Sequence, residues 1–194
     1  PYWTFDAKAD ATWTAEAGHS YTVEVNGKRE RRVRWTAASG ALSHAFDDEL
    51  VCASLGVDPA RLRAIEPFPT GTLVPYDPAY LAGWLVERYQ IDLVAAAERS
   101  RRAMDARLRE LCARQVPGDT HRNLEVRARY REQTFKHILV PLWLATYTHH
   151  GRGYQAVVNG VTGKVSGARP WSWAKIALAV LAGLLALVAV SRLG

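Results

Sequence analysis

Cysteine is nearly absent from this chain: only Cys52 and Cys112 occur in 194 residues. Two thiols so far apart form no CxxC pair, which excludes a zinc knuckle or a dithiol redox centre within the chain and fits reduced, structural side chains. The short patterns that announce common catalytic machinery are missing too. A phosphate-binding loop needs GxxxxGK followed by Ser or Thr, whereas Gly163-Lys164 runs into Val165, so "NGVTGKV" reads as a hairpin turn. No HExxH is present, and His19, His44, His121 and His137 are scattered. His149 and His150 are adjacent, so on a strand they point to opposite faces and do not share a metal. No GxSxG surrounds a serine, which leaves Ser43-His44 and Asp119/His121 as fragments of a nucleophile-and-base arrangement.

These gaps remove nucleotide hydrolysis, zinc-peptidase and serine-hydrolase chemistry from the reading, and neither a cofactor nor a metal is expected. Asp47, Asp48 and Glu49 read as acids in the first turn of a short helix, where the positive dipole end favours them. An enzyme acting on a lipid or small molecule would need a pocket that gathers His121, Asp119 and those acids.

Acidic residues are outnumbered, 19 against 25 Lys and Arg, for a net charge of +6. A basic chain suits an acidic partner, an anionic lipid surface or nucleic acid. Charge then disappears at the C-terminal end, where the run Ile176 to Val190 contains only Ile, Ala, Leu, Val and one Gly. That run is apolar on every face, unlike an amphipathic surface helix. Residues 174–191 would extend ~27 Å as a helix, close to the ~30 Å hydrocarbon core. The expectation is one C-terminal transmembrane helix spanning Ile176, Leu181, Leu184, Leu185, Leu187 and Val190, with Trp171, Trp173 and Lys175 at its interface. Lys164, Arg169 and Lys175 precede the span and only Arg192 follows it. The positive-inside bias then implies a single-pass, tail-anchored protein of the bacterial inner membrane, its N-terminal domain cytoplasmic. Residues 1–168 are expected to form that domain, and 169–194 the membrane segment. The opening "PYWTF" reads as mid-strand, so the natural start is expected upstream of Pro1.

Within the expected domain two stretches echo each other. "PYWTFDAKADATWTAEAGHSYTVEVNGK" and "PLWLATYTHHGRGYQAVVNGVTGK" share P-x-W, a Gly before a Tyr, and V-N-G. Asn-Gly is the strongest short hairpin signal, because both residues tolerate the positive φ of a type I′ turn. Tyr21, Val23 and Val25 alternate with polar residues before the first Asn-Gly, and Val33 and Trp35 continue the alternation after it. The pattern predicts two related β-meander units. Between them "AFDDELVCASLGV" predicts a short helix near 47–55, and a longer one is expected over about 92–115. There Leu93, Ala97, Met104, Leu108 and Leu111 make an apolar stripe, while Glu98/Arg102, Asp105/Arg109 and Glu110/Arg114 sit at i,i+4.

"NLEVRARYREQTFKHI" then alternates strictly, with Leu124, Val126, Ala128 and Tyr130 on one side and Glu125, Arg127, Arg129 and Arg131 on the other. The expected fold class is α+β: an antiparallel sheet built from two related β-meander units, covered by helices, with the membrane helix appended. Arg127, Arg129, Arg131 and Lys136 form the best candidate interaction surface, a basic stripe able to meet phosphates, headgroups or a partner's acids.

"GTLVPYDPAYLAGWLVERYQIDL", "VPGDTH", "TFKHILVPLWLATY" and "VNGVTGKVSGARPWSWAKI", ending in an apolar run, resemble a bacterial membrane-anchored family. Its members usually carry N-terminal zinc ribbons and are often labelled relatives of primosomal protein N-prime, or replication factor Y. The resemblance covers nearly the whole chain and is most specific over residues 134–167. It implies a tail-anchored module that presents zinc ribbons to partners; the ribbon cysteines would lie upstream of Pro1, so no metal ligand carries over. The helicase sense of the label finds no Walker or helicase motif here. The sequence-level conclusion is a non-enzymatic, membrane-anchored adaptor or accessory subunit of a membrane-associated complex, with membrane lipid and a membrane protein complex or a homo-oligomer as partners. A membrane-tethered nucleic-acid-binding factor is the alternative.

Overall fold

A computed structural model describes residues 1–149, 151–168, 178 and 181–183. The elements run β1 (Tyr2–Val25), β2 (Lys28–Cys52), α1 (Pro59–Ile65), two short 3-10 turns (Thr70–Thr72 and Pro78–Leu81), α2 (Leu93–Gln115), β3 (Thr120–Ile138), β4 (Leu142–His149), β5 (Arg152–Asn159) and β6 (Val165–Gly167). The strands form two antiparallel three-stranded sheets, ordered β2-β1-β3 and β4-β5-β6. The chain divides into two compact units, residues 1–59 with 69–140, and residues 60–68 with 141–194.

The first unit is dominated by strands of 24, 25 and 19 residues. Along central β1 every odd position from Trp3 to Ala17 is buried, and five of these are alanines, Ala7, Ala9, Ala11, Ala15 and Ala17. A row of methyl groups lets a helix approach closely, and α2 lies on it with Ala96, Ser100, Met104, Leu108 and Cys112 turned inward at steps of four. Two indoles fix the helix lengthwise: Trp3 Nε1 donates to the Ile91 carbonyl at 2.9 Å, and Trp13 Nε1 donates to Gln115 Oε1 at 3.2 Å. Ten residues of strand cover ~33 Å and the 23 residues of α2 cover ~35 Å, so α2 runs alongside β1. Asp92 caps its first turn, accepting from Ala95 N at 2.8 Å.

Both outer strands carry bulges. Extra residues oppose β1 near Asp6, Ala7 and Ala15, and Asp48, Glu132 and Asn123 take positive φ there (50°, 52° and 53°). Each bulge inserts one residue and bends the strand.

The second unit is a meander packed on α1. Leu62, Ile65, Phe68 and Val157 are buried, and so is Asn159. Arg61 Nη1 donates to the carbonyl and Oε1 of Gln155 at 3.0 and 3.2 Å. Tyr147 and Tyr154 stack across β4 and β5 with ring centroids 5.3 Å apart.

Four expectations are corrected. The fold class is not one α+β sheet of two related meanders: it is mostly strand, in two separate antiparallel sheets with few helices, and only the second sheet is a meander. The helix expected near 47–55 is the end of β2, with Glu49, Leu50 and Val51 paired to Phe5, Thr4 and Trp3. The bulge at Asp47-Asp48 explains the misreading, because it shifts the alternation by one residue and makes Phe46, Leu50 and Val51 recur at helical spacing. The helix moves to Pro59–Ile65.

The buried face of α2 is also rotated from the expected stripe, since Ala97 and Leu111 are only half-buried. Lastly, no helix among the described residues is long and apolar enough to cross a membrane. A span needs roughly 20 apolar residues in continuous helix, whereas α1 has seven residues and α2 is studded with charge. This corrects the appended transmembrane helix and, with it, the single-pass, tail-anchored, inner-membrane placement with a cytoplasmic N-terminal domain. Of the expected anchor residues Leu181 is described, helical and exposed. Trp171, Trp173, Lys175, Ile176, Leu184, Leu185, Leu187 and Val190 lie outside the described residues, as does His150.

Candidate functional site

Strand β3 begins at Thr120, opposite Gly18 of β1. Beyond that point β1 and β2 continue without it. His19 to Val25 pair with Arg34 to Lys28 as seven rungs of a free two-stranded arm, ~24 Å long at strand rise. Asn26 and Gly27 close it with φ of 52° and 73°, the two-residue turn that positive φ at both positions makes. The expected hairpin is found here.

The root of the arm is built for rigidity. Gly18 has no side chain, and a Cβ there would lie 2.6 Å from Thr120 Cγ2 and 2.9 Å from Trp35 Cζ3, so the indole lies across the strand. The Arg122 guanidinium sits 4.2 Å over the Trp35 ring and is ion-paired with Glu16. Asp119 holds the arm itself: Ser20 N donates to Asp119 Oδ2 at 2.8 Å, and Asp119 N donates to the Gly18 carbonyl at 2.9 Å. The Ser20 backbone N–H, with help from the Ser20 hydroxyl, Arg31 and His19, keeps the Asp119 carboxyl below its ordinary pKa.

Charge concentrates on this arm. Lys28, Arg29, Arg31, Arg32 and Arg34 are all exposed. Against Glu24 and Glu30 they leave a net of +3, half the chain's +6. Intramolecular contacts occupy them lightly. Arg31 donates to Ser20 Oγ at 2.9 Å, Arg32 pairs with Glu30 at 3.2 Å, and Arg34 stands 5.8 Å from the Tyr21 ring centroid. Since directly opposed residues share a face and neighbours alternate, Arg32 and Arg34 project on one side and Arg29 and Arg31 on the other.

The stripe expected on β3 has the predicted alternation, with Leu124 buried, Val126, Ala128 and Tyr130 half-buried, and Arg127, Arg129 and Arg131 exposed. Its electrostatics differ from those of the arm. Arg131 pairs with Asp10 at 2.9 Å, Lys136 with Asp48 at 3.0 Å, and neighbouring Lys8 with Glu132 at 2.5 Å. Arg129 lies opposite Asp10 in register and Arg127 opposite Thr12. This face is laced by cross-strand ion pairs, so it presents much less net positive charge than its arginines imply. On the helix side the Tyr130 hydroxyl donates to Asp105 at 2.7 Å, and Arg101 covers the ring at 3.4 Å. Burial, reinforced by that hydrogen bond to Asp105, pushes the phenol pKa up.

The catalytic fragments are kept apart. Ser43 donates to Asp10 Oδ1 at 2.7 Å on one face of β2, while His44 turns to the other and meets Phe46 edge-on at 4.6 Å. Asp119 serves the arm, and His121 lies opposite Ala17 on β3. Asp47 and Asp48 sit in a bulge rather than at a helix terminus.

The arm is what the sequence reading overlooked. "KRERRVR", residues 28–34, is a basic run of the kind that marks an anion-binding patch. Its apolar alternation predicts a strand but does not say that the charge is displayed on a free arm.

No family model matches the chain, and no solved structure matches it. The chain is 24% identical over 178 residues to the uncharacterised protein YdjG of Bacillus subtilis (strain 168), a match covering 91% of this chain and 52% of that protein. It thus spans about half the length of the curated relative it matches.

Proposed function

We propose that this chain is a non-enzymatic docking module, an adaptor or accessory subunit that grips an acidic partner protein with the arm of residues 19–34. The observation that carries the reading is the exposed net charge of +3 on a ribbon whose root is clamped by Trp35, Arg122 and Asp119. A preorganised ribbon loses little conformational freedom on binding, and guanidinium groups match carboxylates two bonds at a time. The ion-paired face of β3 continues the sheet from the arm's root, with Arg127 and Arg129 farther along it.

A second reading, a nucleic-acid-binding factor, is favoured by one feature: a two-stranded ribbon fits the ~12 Å major groove of B-form DNA. Titrating the chain with poly-glutamate and with a 20-base-pair duplex, each at two salt concentrations, separates them. Poly-glutamate binding that Arg29, Arg31, Arg32 and Arg34→Ala abolish, with weak duplex binding, supports the docking module. Tight duplex binding that falls steeply with salt, as counterion release requires, turns the reading to nucleic acid. Binding to neither rules out the arm as an anion-binding element.

A further inference from the structure

The bulge at the other end of the first sheet gathers chemistry that the docking reading does not use. Asp47 and Asp48 together oppose the single residue Asp6, and Asp48 takes a φ of 50°. Bulges re-aim side chains, and this one brings three carboxylates together: one oxygen from each of Asp6, Asp47 and Asp48 lies within 4.8 Å of the others. Two ligands on an ion at ~2.4 Å are at most ~4.8 Å apart, so the three oxygens meet the pairwise limit for sharing one hard cation.

A second, independent feature points into the same place. Thr4 is fully buried, its Oγ1 makes no hydrogen bond of ordinary geometry, and it lies close enough to the Asp48 carboxylate to favour the charged form. A buried hydroxyl left without a partner is destabilising, and a metal–oxygen contact would offset that. Thr70 also turns its hydroxyl toward Asp48.

Lys136 is the competing cation. Its Nζ lies 3.0 Å from Asp48 Oδ1 and 3.9 Å from Asp6 Oδ2, on a side chain that is 50% exposed. Asp6 is held in place by donors from Thr134 Oγ1 and the Asp48 backbone N–H, both at 2.8 Å. Three carboxylates against one ammonium leave the cluster net negative, which favours a cation. An all-oxygen set of carboxylates and hydroxyls selects hard cations, magnesium, calcium or manganese, over softer metals.

We propose that Asp6, Asp47, Asp48 and Thr4 form a binding site for a hard divalent cation, with Lys136 as an ammonium latch that the ion displaces. Binding would tie β1 to β2 at the end of the sheet remote from the arm, and release Lys136 to solvent.

The test is calorimetric titration of the whole chain with calcium, magnesium and manganese chlorides, with melting temperature followed in parallel. Lys136→Met should bind at least tenfold more tightly than the parent, and its melting temperature should rise with added cation. Asp48→Asn should lose both responses while keeping the parent's circular dichroism. A folded Lys136→Met with neither heat nor a melting shift up to about 10 mM cation, above the ~1 mM Kd of weak calcium sites, overturns the proposal. If Lys136→Met does not fold, the parent decides: a cation-induced melting shift absent from Asp48→Asn supports the site, while equal shifts in both, or none in the parent, overturn it.

Discussion

The tripeptide Val-Asn-Gly occurs twice, at 25–27 and 158–160, and the two copies have opposite fates. In the first, Asn26 and Gly27 form the exposed tip of the arm, and nothing lies within 4 Å of where a Gly27 Cβ would be. Their job is conformational: two positive φ angles and nothing else. In the second, Asn159 is fully buried at the end of β5. Its Nδ2 donates to the carbonyls of Ile65 and Pro67 at 3.0 and 3.3 Å, and its Oδ1 accepts from Val161 N and Thr162 N at 2.9 and 3.0 Å. One side chain therefore binds the helical segment to the sheet and shapes the β5–β6 loop. Gly160 needs smallness rather than freedom, since a Cβ would fall 2.8 Å from Pro141 Cβ and 2.9 Å from the Pro141 carbonyl oxygen. The same three letters make a solvent-exposed turn in one unit and a buried polar bracket in the other. The difference lies in what packs behind them.

The sharpest way to break this comparison is Asn159→Ala. It strands the buried Ile65 carbonyl, the part-buried Pro67 carbonyl and two part-buried loop amides, at ~1–3 kcal/mol for each group that water cannot reach, so a loss of about 3–5 kcal/mol is expected. Denaturant unfolding followed by hydrogen exchange should show fast exchange over β4–β6 and unchanged protection in β1–β3. A loss below ~1 kcal/mol would mean that Asn159 does not bracket the second unit. Gly160→Ala comes next: a Cβ driven against Pro141 backbone is overpacking, about 1–3 kcal/mol. Its counterpart Gly27→Ala meets no atoms and pays only for φ, about 1 kcal/mol. Equal losses at the two glycines would erase the distinction between space and conformation.

This pairing also shows what was legible beforehand. The turn at Asn26-Gly27 follows from local chemistry alone, as do the Asp92 cap of α2 and the alternation of β3. All three depend on residues within a few positions of one another. The fate of Asn159 depends on Ile65 and Pro67, more than 90 residues away, and no local pattern encodes that. The end of β2 failed for a different reason, because one inserted residue at Asp48 turns a period of two into something helical. The candidate site was half visible: the basic residues of β3 were found, but Asp10, the partner of Arg131, and Asp48, the partner of Lys136, belong to other strands. "KRERRVR" stood in plain view, yet its isolation as a free arm follows from where β3 begins, and that is a fact of topology.

Asn26→Ala should cost about 1 kcal/mol, again through a left-handed backbone position, and hydrogen exchange should rise only over the arm. Neutralising Arg29, Arg31, Arg32 and Arg34 should move stability by no more than ~0.5 kcal/mol, since exposed charges contribute little, while removing anion binding. That separation of binding from stability is the arm's signature, and Asn159 should show no such separation.

The smallest expected effect is a pH dependence at the arm's root. Asp119 titrates below its ordinary value because the Ser20 N–H prefers its charged form. The folded carboxyl therefore releases its proton more readily than the unfolded one. The hold it exerts is fully present above the unfolded pKa and is lost as pH falls through the folded value. Acidification should loosen Ser20 and its neighbours while the second unit, bracketed by the non-titrating amide of Asn159, keeps its protection over the same interval. Exchange-corrected amide protection of Ser20 reads this directly, and Asp119→Asn should flatten the profile. If protection at Ser20 and in β5 instead declined together with acid, the arm would share a common unfolding transition with the second sheet, and the contrast between the two Asn-Gly sites would come down to a difference in exposure.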